Sequence, residues 1–225
     1  MQKQPFRHSR VFLILFIAVI SASCTTMSSA GRPNQINKAP RNPVLLESSS
    51  LQKKLADSAY WAEGRKTLVV QNRKFNMDCS GVVLAIYYHS GIDLTKNLGS
   101  YSGGGVQRLY DYLNDLQLLY KSNYPAQGDL LFWDNTYDKN NDGASNDELT
   151  HVGMVVESNS KGDVIYIHHN YRRGIVMASM NLLDPDNLDR NSPMRARGAE
   201  EGHAAKWLSS HLLRNAGKAY EIPLE

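Results

Sequence analysis

The segment Asp78-Cys79-Ser80-Gly81-Val82-Val83 predicts a helix that begins with a cysteine. From Cys79 to about Ser90 the apolar residues recur at helical spacing, and Gly91 ends the run. Asp78 stands at the position of an N-cap acceptor, so Cys79 falls in the first turn of the helix. Free backbone N–H groups and the positive end of the helix dipole meet there, and both favour the thiolate over the thiol.

A cysteine at a helix N-terminus is a candidate nucleophile. The backbone N–H groups of Cys79 and Ser80 are candidates to hold the oxyanion that forms when the sulfur attacks a carbonyl, and Gly81 would let a substrate approach closely. The other cysteine of the chain is Cys24, so the body of the chain cannot form an internal disulfide. The alternative is a buried structural cysteine, although a cysteine that follows a capping acid does not lie on the apolar side of its helix.

A base for this thiol is predicted at His151, which begins the strand pattern Thr150-His151-Val152-Gly153-Met154-Val155. A histidine at the start of a strand can face a helix terminus across a cleft and exchange a proton with the sulfur. A third polar group usually orients such an imidazole. The paired strand offers His168, His169 and Asn170, and alternation places the two histidines on opposite faces.

The order of the apolar patterns predicts an α+β fold with an antiparallel sheet, because helices come first and consecutive strands follow. A last helix is predicted from Ala204 through Leu213, with Gly217 beyond its end, and residues 181–202 look irregular. The other predicted helices are near 51–62, 79–90 and 106–116, and the predicted strands are 67–70, 129–133, 151–157, 163–168 and 174–178.

A secretory signal is predicted at residues 1–23. Three basic residues precede an apolar run at 11–20 that is too short to span a bilayer, and small residues follow it. The small residues before Cys24 resemble a bacterial lipobox, in which the cysteine is lipidated, and the alternative is a plain signal peptide cut nearby. Thr25 is typical of outer-membrane sorting. We therefore expect an exported protein of the cell envelope, anchored to the outer membrane through a lipid on Cys24 and facing the periplasm.

Composition divides the rest of the chain into a tether and a domain. Residues 24–47 are small and polar and predict a flexible tether, whereas 48–225 predict one domain with a C-terminal extension from about 181. The net charge of +3 falls to about zero when the three cations of the signal are removed. A net charge near zero does not indicate nucleic-acid binding, and the sequence contains no Lys/Arg cluster that would. The sequence does not define an oligomeric state.

Three blocks of sequence stand in order along the body. They are Asp78-Cys79-Ser80-Gly81-Val82-Val83, then Pro125-Ala126-Gln127-Gly128-Asp129-Leu130-Leu131-Phe132-Trp133, then His151-Val152-Gly153-Met154-Val155. Together they resemble the cysteine helix, the Pro-x-x-Gly-Asp strand and the histidine strand of the NlpC/P60 family of cell-wall peptidases. The resemblance covers roughly residues 55–170. One departure is residues 69–77, which lack the tyrosine and the glycine pair that many members have before the cysteine.

The resemblance implies a papain-like fold, in which the helix bearing the cysteine packs on an antiparallel sheet bearing the histidine. It implies Cys79 as the nucleophile, His151 as the base and His168 as the third residue, with His169 as a close rival. The implied reaction is hydrolysis of an amide bond in peptidoglycan stem peptides, often between D-glutamate and diaminopimelate, without any cofactor for catalysis. Two alternatives stay open: an amidase that cuts between glycan and peptide, as in the related CHAP domains, and a non-catalytic envelope lipoprotein that binds wall or partner proteins.

A separate pattern, Asp138-Lys139-Asn140-Asn141-Asp142-Gly143, lies between the second and third blocks. Oxygen ligands at Asp138, Asn140 and Asp142, followed by a glycine, are what the first half of an EF-hand loop supplies. Position twelve is Leu149, where a bidentate glutamate belongs, and an Asn/Asp-rich turn gives the same string. The sequence therefore predicts either a structural calcium ion or a solvated turn at this place.

Overall fold

Helix α2, Cys79–Ser90, begins directly after the acid that precedes it in the sequence. The Asp78 carboxylate accepts the backbone N–H of Gly81 at 2.7 Å, which satisfies one of the free donors of the first turn. Gly91 ends the helix in the left-handed conformation, at a φ of 100°. The predicted start and end of this helix are confirmed.

The computed structural model describes residues 48–195 and 206–223 of the chain. The other helices are α1 (Ser50–Ala62), α3 (Gly105–Asp115) and α4 (Ser209–Leu212). The strands are β1 (Leu68–Val70), β2 (Arg73–Phe75), β3 (Leu119–Tyr120), β4 (Leu130–Trp133), β5 (His151–Ser158), β6 (Asp163–Asn170), β7 (Gly174–Asn181) and β8 (Leu213–Gly217). The predicted signal, the tether and Cys24 lie outside the described residues. Within the described ranges, no helix has the length and apolar character needed to cross a membrane.

The strands form a six-stranded sheet of order β3-β8-β4-β5-β6-β7 and a separate β1-β2 hairpin, with every neighbouring pair antiparallel. Helices α1 and α2 pack on one face of the large sheet, where alternate residues of β5 such as Val152 and Met154 meet Val82, Val83 and Ile86 of α2 in one core. The predicted α+β fold, with the cysteine-bearing helix packed on an antiparallel sheet that carries the histidine, is confirmed.

The opposite face of the sheet has its own smaller core, which includes Trp133, Tyr166 and Met180. Leu182, Met194, Leu212 and the residues of β8 that face this side cover it. The segment after residue 181 thus closes the second face of the sheet and also supplies one of its strands.

The prediction of a last helix from Ala204 through Leu213 is confirmed only for Ser209–Leu212, because Leu208 before it pairs with Pro193 and Leu213 after it begins a strand. Ala204 lies outside the described residues, helix α4 is only Ser209–Leu212, and Leu213–Gly217 is strand β8. The physical reason is that the fully buried strand β4 has a free edge opposite β5, and β8 pairs with that edge. Gly217 is not a helix stop, because a Cβ at this position would lie 2.7 Å from Leu113 Cδ1 in the core.

The pair Gly128-Asp129, directly before β4, has a structural role. Gly128 accepts the buried Tyr87 hydroxyl through its carbonyl at 2.6 Å. Asp129 is completely buried, and its Oδ2 accepts the Tyr120 hydroxyl and the Ala126 N–H. Burial raises the pKa of Asp129 to about 6, although these donors oppose the rise. The pair ties β3 and the loop before β4 to the edge of the sheet.

The expectation that Gly81 lets a substrate approach the helix closely is wrong. A Cβ built at Gly81 would lie 2.1 Å from the backbone oxygen of Asn76. The chain that leads into α2 therefore fills the space over this glycine. The glycine is needed because the Asn76 backbone and the helix approach each other more closely than any side chain permits.

We predict that Gly81→Ala destabilises the protein by about 1–3 kcal/mol, the usual result of forcing an extra carbon into a packed site. Thermal or urea unfolding measures the effect. Gly99→Ala is the matched control, because a Cβ at Gly99 meets nothing within 4 Å. Equal stability of the two variants would contradict the proposed close approach.

Candidate active site

The Cys79 sulfur lies at the junction of helix α2 and the start of strand β5. The backbone N–H of Val152, the residue after His151, is close enough to the sulfur to favour the thiolate and so to lower the pKa of Cys79. The ladder between β5 and β6 begins only at the pair Gly153–His168, so this N–H lies just beyond the paired region. Helix packing thus places the thiol beside the strand position that carries His151.

His151 and His168 form a bonded pair of imidazoles. His151 Nε2 lies 2.9 Å from His168 Nδ1, and the rings meet edge to face with centroids 5.1 Å apart. Trp133 and Tyr166 flank the pair, with ring centroids 5.9 Å from His151 and 5.4 Å from His168 respectively. His168 is only 3% exposed, so the aromatic wall holds the pair in one arrangement.

The bond between the imidazoles limits which tautomer can serve as a base. If His151 Nε2 donates its proton to His168 Nδ1, the other nitrogen of His151, Nδ1, carries a lone pair. His168 must then be neutral, with its proton on the buried Nε2, which has no partner among the described residues. Burial and the charge of Arg173 lower the pKa of His168, which keeps this acceptor neutral.

The same burial acts on the two groups that would exchange the proton. It raises the pKa of the Cys79 thiol, although the backbone N–H groups of Val152, Ser80 and Cys79 oppose the rise. Burial also lowers the pKa of His151, and the charges of His168 and His169 act in the same direction. These directions run against the predicted resting thiolate, because desolvation outweighs the helix end and favours the neutral forms of both groups.

No hydrogen bond joins Cys79 to His151 in the described part of the chain, so the proton transfer is not prearranged. Catalytic contacts of this kind are often long without substrate and tighten when it binds. His151 Nδ1 is the ring atom that the bond to His168 leaves for the thiol.

Two backbone donors at the tip of α2 stay available for an oxyanion. The Asp78 carboxylate takes the Gly81 N–H, and it also accepts the Ser80 hydroxyl at 2.8 Å. The N–H groups of Cys79 and Ser80 both point at the sulfur closely enough to favour its negative form. These are the two groups predicted from the sequence as oxyanion donors.

The other residues proposed as orienting groups lie elsewhere. His169 is partly exposed and pairs with Ile175 on the neighbouring strand. Asn170 shapes the β6–β7 turn, because its side-chain oxygen accepts the backbone N–H groups of Arg172 and Arg173 at 3.0 and 3.1 Å. Of the three candidates, His168 is the one whose ring bonds to His151.

Sequence reasoning missed Tyr137, which lies in the loop between β4 and β5 and whose pKa is raised by burial, with Cys79 and Asp147 acting in the same direction. It also missed the contribution of Arg173 from the β6–β7 turn. No sequence motif marks either residue. The available signal for Tyr137 was its place directly after Asn135-Thr136, in the loop that leads to His151.

The Asn/Asp-rich loop is internally hydrogen-bonded. Asp138 Oδ2 accepts the Gly143 N–H at 2.9 Å, and Asp142 Oδ1 accepts the Ala144 N–H at 2.8 Å. Asn140 and Asn146 both donate side-chain N–H groups to Asp142 Oδ2. No group of three or more His, Cys, Asp or Glu side chains in residues 48–195 and 206–223 is arranged to hold a metal ion. Calcium at Asp138, Asn140 and Asp142 stays a prediction.

Comparison with known proteins identifies one family. The family model described as NlpC/P60 family matches residues 58–183, more than half of the chain. The match includes α2, the Gly-Asp strand and both histidines of the bonded pair. No match was found among curated proteins or among solved structures.

We predict that Cys79 reacts with iodoacetamide as a thiol of raised pKa. In a Cys24→Ser variant, where Cys79 is the remaining thiol, the rate should become half-maximal above the ordinary thiol pKa of about 8.5. The reason is that a raised pKa leaves less thiolate at neutral pH. The urea-unfolded variant is the control and should show the ordinary value. A folded-state midpoint near pH 6 would contradict the prediction.

Proposed function

The chain belongs to the NlpC/P60 family, and on this premise we propose that it is a peptidoglycan D,L-endopeptidase that uses Cys79 as its nucleophile. Members of the family are generally cysteine peptidases that act on peptidoglycan peptides. The observation that carries the proposal is the 2.9 Å bond between His151 and His168 beside the helix end that bears Cys79. A nucleophile, a base and a group that orients the base are the minimum that thiol hydrolysis requires.

In the first step, Cys79 Sγ attacks the carbonyl carbon of the scissile amide while its proton passes to His151 Nδ1. An S–C bond forms, and the electron pair of the carbonyl moves to its oxygen. The N–H groups of Cys79 and Ser80 stabilise this oxyanion. Because burial favours the neutral thiol and the neutral imidazole, the proton passes from sulfur to ring as the S–C bond forms.

The intermediate then collapses. The C–N bond breaks, and the imidazolium of His151 gives its proton to the leaving amine. Water next attacks the thioester while His151 accepts one of its protons, the C–S bond breaks, and the thiol regains its proton. Throughout both steps, neutral His168 accepts the His151 Nε2–H and keeps the ring in the tautomer that the chemistry needs.

The setting of the enzyme is proposed from the sequence. We propose that the chain is exported and that a lipid on Cys24 anchors it to the outer membrane, with residues 24–47 as the tether. The substrate is then the peptidoglycan stem peptide within reach of that tether. Calcium, if it binds at Asp138, Asn140 and Asp142, is a structural brace for the loop before His151 and has no part in the thiol chemistry.

We predict that the purified chain releases soluble fragments from peptidoglycan sacculi and that Cys79→Ala does not. Turbidity and mass spectrometry of the soluble products measure the reaction. New amino groups on diaminopimelate support the endopeptidase, whereas new amino groups on L-alanine identify an amidase. Wild-type protein that binds sacculi and leaves them intact would show a non-catalytic envelope protein.

We predict that His168→Ala lowers kcat by roughly 10²-fold or more, the scale on which positioned acid–base groups act. His169→Ala is the matched control on the next residue, and its kcat should stay within about threefold of wild type, because no hydrogen bond ties its ring to His151 in the described residues. Loss of activity in the His169 variant with activity kept in the His168 variant would reverse the assignment of the orienting residue.

A further inference from the structure

Strand β8 lies two strands away from His151, on the other side of β4. In the register of the sheet, Trp133 of β4 pairs with His151 of β5 on one side and with Leu213 of β8 on the other. Leu213 lies beyond residues 58–183, to which the family model matches. The C-terminal segment of the chain therefore reaches the strand position that carries the predicted base.

Arg214, the second residue of β8, binds two carboxylates. Its Nε lies 2.8 Å from each oxygen of the Asp134 carboxylate, and its Nη2 lies 2.7 Å from Glu148 Oε1. The side chains of Arg214 and Asp134 are each 23% exposed, whereas that of Glu148 is 72% exposed. Because water screens exposed ion pairs, the pair with Asp134 is the stronger of the two.

Asp134 connects this arginine to the residues directly before His151. Its Oδ1 accepts the Leu149 N–H at 2.8 Å, and its own N–H donates to the Leu212 carbonyl at 3.1 Å. Leu149 has a φ of 50°, in the left-handed region that is unfavourable for a residue with a Cβ. The Asp134 carboxylate therefore fixes a strained piece of backbone two residues before His151.

A second connection to the C-terminal segment runs through Trp133. Its indole N–H donates to the Ser209 carbonyl at 2.8 Å, and its ring packs on His151 with centroids 5.9 Å apart. The Trp133 carbonyl accepts the Thr150 N–H at 3.0 Å. Both connections begin in the C-terminal segment, and both end at His151 or at the residues directly before it.

We propose that Arg214 is a positioning residue for His151. By pairing with Asp134, it anchors the backbone before His151 to β8 and keeps the imidazole where its Nε2 meets His168 Nδ1. The proposal rests on the proposed function of His151 as the base for Cys79, and it extends that function to a residue outside the family match. Arg214 exchanges no proton and acts only through the segment that it anchors.

The first test is the kinetics of Arg214→Met, which removes the cation and keeps an unbranched side chain. With the soluble peptide L-alanyl-γ-D-glutamyl-diaminopimelate as substrate, kcat should fall by roughly tenfold or more, because a misplacement of about 1 Å can cost about 10²-fold. KM should stay within about threefold of wild type, since a change in kcat alone marks an interaction that matters only in the transition state.

NMR of protein labelled with nitrogen-15 histidine gives a readout that does not depend on the substrate. The nitrogen shifts distinguish a protonated ring nitrogen from an unprotonated one, and the signals of His151 are identified by their loss in His151→Ala. In wild type, we expect the proton of His151 on Nε2 and a lone pair on Nδ1. In Arg214→Met, the two shifts should move toward each other, because the ring no longer keeps one tautomer.

Arg190→Met is the matched control. Arg190 also follows residue 181 and binds two carboxylates, those of Asp184 and of Asp163, which begins β6 at the end away from His168. This variant should leave kcat, KM and the His151 signals unchanged, and circular dichroism should show that both variants are folded. An unchanged kcat in Arg214→Met, a fall in kcat without a change in the His151 signals, or the same fall in Arg190→Met would each overturn the proposal.

Asp134→Asn tests the same ion pair from its other side, and it carries the test if Arg214→Met does not fold. The asparagine keeps an oxygen for the Leu149 N–H and loses the charge that Arg214 binds. It should lower kcat and shift the His151 signals as Arg214→Met does, and the double variant should add little, because the two residues act as one pair. Fully additive effects would contradict the proposal. A wild-type protein that cleaves no peptide would instead refute the endopeptidase, and the His151 signals would then decide the role of Arg214.

Discussion

The close approach of the Asn76 backbone to Gly81 is the constraint on which the candidate site depends. It brings the incoming chain over the first turn of α2, so that Asp78 can cap the helix and Cys79 becomes its first residue. The cap uses one N–H and leaves those of Cys79 and Ser80 directed at the sulfur. Packing of the same helix on β5 then places the sulfur at the Val152 N–H. Nucleophile, donors and histidine strand are therefore set by one backbone contact and one helix–sheet interface.

Burial gives this site a neutral resting state. The helix end and three backbone donors stabilise the thiolate, yet desolvation is larger and raises the pKa of Cys79. Desolvation also lowers the pKa of His151 and His168, since each imidazolium would lose its hydration. A neutral His168 is useful, because only the neutral ring can accept a hydrogen bond at Nδ1. The same burial therefore raises the pKa of the thiol and keeps His151, its base, in one tautomer.

Local sequence patterns predicted the capped helices and the long strands. They failed for short strands whose formation depends on a pairing strand far away in the sequence. The hairpin β1–β2 turns at Gln71-Asn72, both at positive φ, without the Asn-Gly or Asp-Gly pair that signals such turns. Strand β3 has two residues and exists because β8 pairs with it. Leu213–Gly217 has apolar residues compatible with a helix, and the free edge of β4 makes it a strand. The upward shift of the Cys79 pKa was missed for a similar reason, because the burial of Cys79 is a property of its neighbours.

Residue chemistry within short segments was sufficient to find the capped cysteine, the strand histidine and the small set of candidates for a third residue. These features depend on neighbours in the chain, and their signals are N-caps, periodicity and motif order. Folding alone selected His168 over His169, since only a paired strand with a defined face brings Nδ1 to His151 at 2.9 Å. It alone put β8 into the sheet. Those outcomes depend on contacts between residues far apart in sequence, which local chemistry does not encode.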